Sequence, residues 1–212
     1  MANANQPFGL RPYRNITGKN DGQANVYRIP ASDTLVYNIG DVVRTAAGGD
    51  LVSGCSDVIL FGTRGAVSTT GNTRGVIVGL GTRAGTAGMS TVTGFDPTNL
   101  EAMSIPATKT KDYFVLVDDS PDTVFEAQTT DTIAASAFNK NTGLAVGAAP
   151  SAGQVVSNTT VSGSTATTTI TLPIKIIGAP NQLDNDLTAP GTYSRILVML
   201  NTHELSGNTV GI

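Results

Sequence analysis

The sequence predicts an all-β protein: a small barrel or sandwich core with an extended N-terminal arm, a Gly/Thr-rich excursion and one short helix. Three observations carry this reading. Short apolar runs of strand length recur along the chain, bounded by Gly, Asn and Asp. The 212 residues include 30 Thr and 24 Gly, which favour pleated surfaces and tight turns respectively. Only Asp131 to Lys140 has the spacing and capping residues of a helix.

Residues 1–23 carry Pro7, Gly9, Pro12, Gly18 and Gly22, which leave no helical or strand period intact. Phe8, Leu10, Tyr13 and Ile16 are large anchors in this extended segment. Such an arm suits a groove on its own domain or on a neighbour. The β domain is assigned to residues 24–212. Between Ala24 and Leu80 lie six or so strand-like runs, among them Val26–Ile29, Val42–Thr45, Val58–Phe61 and Gly75–Leu80. Residues 81–111 are rich in Gly, Thr and Ser and too long for an ordinary connection, so an exposed excursion is expected there.

Tyr113–Val117 and Thr123–Gln128 flank an Asp/Ser/Pro turn and are expected to pair as a hairpin. The expected helix over 131–140 places Ile133, Ala134, Ala137 and Phe138 on one stripe. Ser157–Thr168 reads as a hairpin turning at Ser162-Gly163-Ser164. Thr169–Ile176 alternates strictly, with Ile170, Leu172, Ile174 and Ile176 on one face. Pro173 lacks a ladder donor, which predicts an edge strand or a bulge. Ile196–Leu200 is apolar on both faces and predicts a buried central strand.

Composition excludes several chemistries. One Cys cannot close an internal disulfide, and one Cys with one His cannot supply a Cys/His zinc site. A net charge of −3 argues against general nucleic-acid binding. No apolar stretch is long enough for a transmembrane helix. The first residues lack the basic and apolar regions of a secretory signal, so assembly in a host cytoplasm is expected. Only 14% of residues are charged. The charge is uneven: residues 1–112 hold ten Lys/Arg against eight Asp/Glu, and residues 113–212 hold three against eight. Arg11, Arg14, Lys19 and Arg28 make the start of the chain locally basic, either as a solvated tail or as an arm for an acidic partner surface.

No motif reaches catalytic specificity. Gly79-Leu80-Gly81-Thr82-Arg83-Ala84-Gly85 is off by one from a dinucleotide loop and precedes no helix-forming run. Asp118, Asp119, Asp122 and Glu126 form the densest acidic cluster but lack the order of a calcium loop, and an Asp/Ser/Pro turn explains them. His203-Glu204 has Gly207 where a zinc motif needs its second His. Cys55 has no activating base nearby in sequence. No cofactor or metal is expected, and no enzymatic activity.

The opening Ala2–Pro12, read ANANQPFGLRP, resembles the start of a family of small virion proteins from tailed bacteriophages. Further stretches are similar: Gln23–Pro30, Ile39–Val43, Gly75–Gly79, Tyr113–Gln128 and Leu197–Leu205. The resemblance implies a head-decoration, or cement, protein. Such a protein binds the capsid exterior after expansion, often as a trimer, and clamps neighbouring capsomers against packaged-DNA pressure. The implied partners are the major capsid protein and further copies of the chain, as a trimer or a dimer, with no nucleic acid and no membrane. Uncharged Thr, Ser, Asn and Gly suit such contacts, because burying them strands no charge. Phe8, Leu10, Arg11, Tyr13 and Arg14 are the expected docking residues. A tail, connector or fibre-associated role on the same kind of particle is the first alternative. A β ligand-binding domain using Asp118, Asp119, Asp122 or Glu126 is the second.

Overall fold

β-branched and aromatic runs alternate with turn residues throughout, and strand follows strand accordingly. The computed structural model describes residues 3–17, 24–82, 104–150, 155–187 and 193–206. Among these, the strands are β1 (Arg11–Asn15), β2 (Asn25–Ile29), β3 (Val42–Asp50), β4 (Cys55–Leu60), β5 (Ala66–Ser68), β6 (Gly75–Thr82) and β7 (Tyr113–Asp118). They continue with β8 (Thr123–Gln128), β9 (Asn141–Thr142), β10 (Leu144–Val146), β11 (Thr160–Val161), β12 (Ile174–Gly178) and β13 (Arg195–Leu200). The fold is all-β.

Five strands close a barrel in the order β2-β4-β3-β6-β7. Tyr27, Ile29, Val43, Val58, Leu60, Val76, Val115 and Val117 are buried in it and join the core. The β2–β4 seam is thin, with a single parallel pair at Arg28 and Asp57. A two-pronged ion pair reinforces it, Arg28 Nε to Asp57 Oδ1 at 2.6 Å and Nη2 to Oδ2 at 2.9 Å. Planar guanidinium matches planar carboxylate, which fixes direction as well as distance.

A second sheet runs β1-β8-β13-β12-β9, antiparallel throughout. Side chains alternate between the faces of a strand. One face therefore collects Phe125, Ala127, Ile174, Ile176, Ile196 and Val198, all fully buried. Each large side chain among them contributes about 1.5–3 kcal/mol by leaving water. β13 is central, as its two-sided apolar run predicts. A third sheet, β11-β10-β5, is small.

The N-terminal segment lies along its own domain. Leu10 is 1% exposed and belongs to the core. Its N–H donates to Gly40 O at 2.9 Å, and Gly40 N–H donates to Ile77 O at 2.8 Å. Gly9 and Gly40 pass backbone to backbone here. Both have positive φ, and a Cβ on Gly9 would lie 2.5 Å from Gly40 O. Only glycine meets both demands.

Several local expectations are corrected. β7 and β8 do not pair with each other: β7 bonds β2 and β6, and β8 bonds β1 and β13. The Asp118–Asp122 turn is thus a crossing from barrel to sheet, because each strand finds a longer apolar partner elsewhere. The helix expected over 131–140 is only a 3₁₀ turn at Ala135–Ala137, with no side-chain cap. Four apolar positions are too few to hold a longer helix on the core. Ser157–Thr168 is not a hairpin, since β11 pairs β10 while Thr167 bridges Asn141. Thr169–Ile176 is strand only from Ile174; Ile170 is 80% exposed. Pro173 precedes β12 instead of marking an edge, and β12 lies between β13 and the two-residue β9. Residues 83–103 of the expected excursion lie outside the described residues. Its end, however, is docked. Ile105 bridges Tyr37, and the fully buried Lys109 ammonium donates to Asp33 Oδ1, Asp33 O and Leu35 O at 2.7–3.0 Å.

Candidate interaction surface

The residues expected to dock a partner sit on and beside β1, an edge of the five-stranded sheet. Leu10 is internal and anchors the strand. Arg11 to Arg14 are all exposed, with Tyr13 at 44%. Pro12 and a register shift between Pro12 and Arg14 make this edge irregular, the kind of edge that resists indiscriminate strand pairing. Phe8 is half-buried, and the Arg11 guanidinium lies 5.0 Å above its ring, a cation–π contact.

Register assembles the outer face of the sheet. Arg11 stands opposite Glu126, and Arg14 opposite Val124. Glu126 stands opposite Leu197, and Gln128 opposite Arg195. Lys175 stands opposite Met199. Opposed residues share a face, so Arg11, Arg14, Lys175 and Arg195 are all carried on one side. Glu126 is their buried counter-charge, at 1% exposure. Its Oε2 accepts from Arg11 at 2.6 Å, and its Oε1 lies 3.9 Å from Arg195 Nε with no hydrogen bond of its own. A buried carboxylate needs paired cations, and two arginines flank this one. Arg195 also holds Asp184 at 2.5 Å, and Asp184 is 76% exposed. A cleft of about 190 Å³ opens beside them, lined in part by Asn3, Gln6, Phe8, Arg11, Gln128 and Arg195.

The remaining sequence candidates lie elsewhere in the fold. The acidic cluster is divided between tasks. Asp119 accepts from Tyr27 Oη at 2.6 Å and from Asn25 at 2.9 Å, Asp118 accepts from Ser120 N–H at 3.2 Å, and Glu126 faces the other way, toward Arg11. Burial, with Asp119 as hydrogen-bond partner, pushes the Tyr27 hydroxyl up to about 12. Gly79–Thr82 continues β6, so no loop opens there. Cys55 begins β4 half-buried. Among the described residues no three His, Cys, Asp or Glu side chains converge to hold a metal, and no helix is long and apolar enough to cross a membrane.

His203-Glu204 proves to be a clasp between sheet and barrel. Thr73 N–H donates to Thr202 O and Glu204 N–H to Thr73 O, each at 2.9 Å. The Glu204 carboxylate accepts from Thr45, through its N–H at 3.0 Å and through its hydroxyl. His203 is wholly buried, and its Nδ1 accepts from Leu205 N–H at 3.0 Å. Burial first, and Arg74 second, hold its imidazole below the usual histidine range.

Sequence reasoning found Arg11 and Arg14 but missed Lys175 and Arg195. The available signal was parity: a lone cation inside an apolar strand, Lys175 between Ile174 and Ile176, must face outward. Comparison with protein-family models, with curated proteins and with solved structures found no match.

Proposed function

We propose that this chain is a structural virion protein that binds the outside of a tailed-phage capsid and stabilises the shell against packaged-DNA pressure. The carrying observation is the resemblance, which runs from Ala2 to Leu205 in separate stretches. Those stretches are in mutual contact. Leu10 bonds Gly40, Gly40 bonds Ile77, β1 bonds β8 and β8 bonds β13. In this reading the chain acts without chemistry, as a clamp presented by a rigid β scaffold. Its partners are the major capsid protein and further copies of itself, as a trimer or a dimer. Arg11, Tyr13 and Arg14 are the surface residues of the N-terminal strand, and Leu10 fixes that strand in place.

The test is cosedimentation of the purified chain with expanded and unexpanded phage heads that lack it. The expected result is saturable binding to expanded heads, at a copy number comparable to the capsid subunit, with raised resistance to heat or chelation. Labelling confined to the tail, or a few dozen copies per particle, would assign the chain to a tail or connector. Absence of binding to either head form overturns the proposal.

A further inference from the structure

We propose that the outer face of the five-stranded sheet is a docking surface for an acidic segment of a partner protein. The inference names the partner chemistry of the surface proposed above and rests on that reading only for the partner's identity. The chain carries a net −3, yet this face gathers Arg11, Arg14, Lys175 and Arg195. The counter-charges are Glu126, which is buried, and Asp184, which is exposed. Arg14 and Lys175 are exposed and make no ion pair with any described residue.

The arrangement has a shape. Continuing the β8–β13 register by one step places Arg14, Val124, Met199 and Lys175 in one cross-strand row. Its ends lie about 14 Å apart at the usual strand spacing. Between the cations Val124 and Leu197 are buried and only Met199 is partly exposed, so the surface a partner meets here is the cationic side chains themselves. An extended segment with carboxylates spaced to reach both ends of the row would match this charge pattern. Asp184 already shows the contact such a carboxylate would make. It holds Arg195 from an exposed position, which makes it a replaceable internal stand-in. Charge complementarity selects an acidic partner. A polyphosphate is disfavoured because the chain carries a net −3 and repels it as a whole.

The probe is a fluorescein-labelled oligoglutamate peptide, read by anisotropy against the intact chain. Controls are its Gln counterpart and a single-stranded oligonucleotide of equal charge. The glutamate peptide is expected to bind, the Gln peptide not to bind, and added salt to weaken the complex. Arg14→Glu with Lys175→Glu should lower affinity about tenfold or more. Both positions are exposed and unpaired, and an unchanged circular dichroism melt verifies folding. Lys111→Glu, an exposed position two residues before the barrel strand β7, should bind as the parent does. Asp184→Asn should bind more tightly. Equal or stronger binding of the oligonucleotide, no binding of the glutamate peptide, or an unaffected double variant would each overturn the proposal. Peptide binding without capsid binding would leave this inference standing and remove the function proposed above. Capsid binding indifferent to the double variant would do the reverse.

Discussion

The barrel and the five-stranded sheet use the same residue types to different ends. In the barrel the arginine–carboxylate pairs are enclosed: Arg28 and Asp57 expose 17% and 9% of their side chains across the seam. In the sheet Arg11 exposes 58% of its side chain while its partner Glu126 exposes 1%. The enclosed pair fixes geometry, because neither member can leave without stranding the other. The half-open pair keeps one cation within reach of solvent and of a partner. Closure makes the difference: a barrel has no free edge, whereas the open sheet ends at β1 and keeps an outer face.

The largest expected effect breaks the enclosed side of this comparison. Arg28→Ala leaves Asp57 unpaired at a seam with one ladder pair and should cost about 3–5 kcal/mol in urea unfolding. Arg11→Ala leaves Glu126 beside Arg195 and should cost about 1 kcal/mol by the same measurement. Equal losses would show that the two pairs do the same work. Within the N-terminal segment, Leu10→Ala should cost about 2–5 kcal/mol, and Tyr13→Ala less than about 0.5 kcal/mol. A large loss at Tyr13 would make β1 a core element throughout, with no surface to spare.

The smallest effect concerns the clasp that joins the two regions. Burial depresses the His203 pKa in the folded chain, so the unfolded chain takes up the proton more readily. The neutral imidazole's contribution is therefore full above about pH 6.5 and falls as pH drops through that value. Melting temperatures measured across this range should decline on the acid side, and His203→Gln should flatten the decline. An unchanged slope in the variant would remove His203 from the account.

Much of the fold was legible in the chain. The two-sided apolar run Ile196–Leu200 announced its central position, whereas the Pro and Gly punctuation of the first residues hid the strand β1 at Arg11–Asn15. Pairing was not legible. Tyr113–Val117 and Thr123–Gln128 are neighbours in sequence with a turn between them, and a hairpin is the local solution. The better partners are β2 and β6 for one and β13 for the other, which only the assembled core supplies. The Ile170–Ile176 alternation overstated its strand because β9, the available partner, ends after two residues. The docking face was half legible for the same reason. Arg11 and Arg14 are close in sequence, whereas Lys175 and Arg195 join them only through register.

The pairing of β1 with β8 also sets an order of events in the making of the chain. Arg11 and its partner Glu126 are 115 positions apart. At roughly 5–20 residues per second of synthesis, the N-terminal segment exists for on the order of ten seconds before β8 has been made. Gly40 and Ile77 emerge sooner, so the backbone groups that hold Leu10 are made while the edge strand waits. During that interval β1 lacks its partner strand, and Pro12, which has no N–H to donate, keeps that edge from pairing freely with a neighbouring chain.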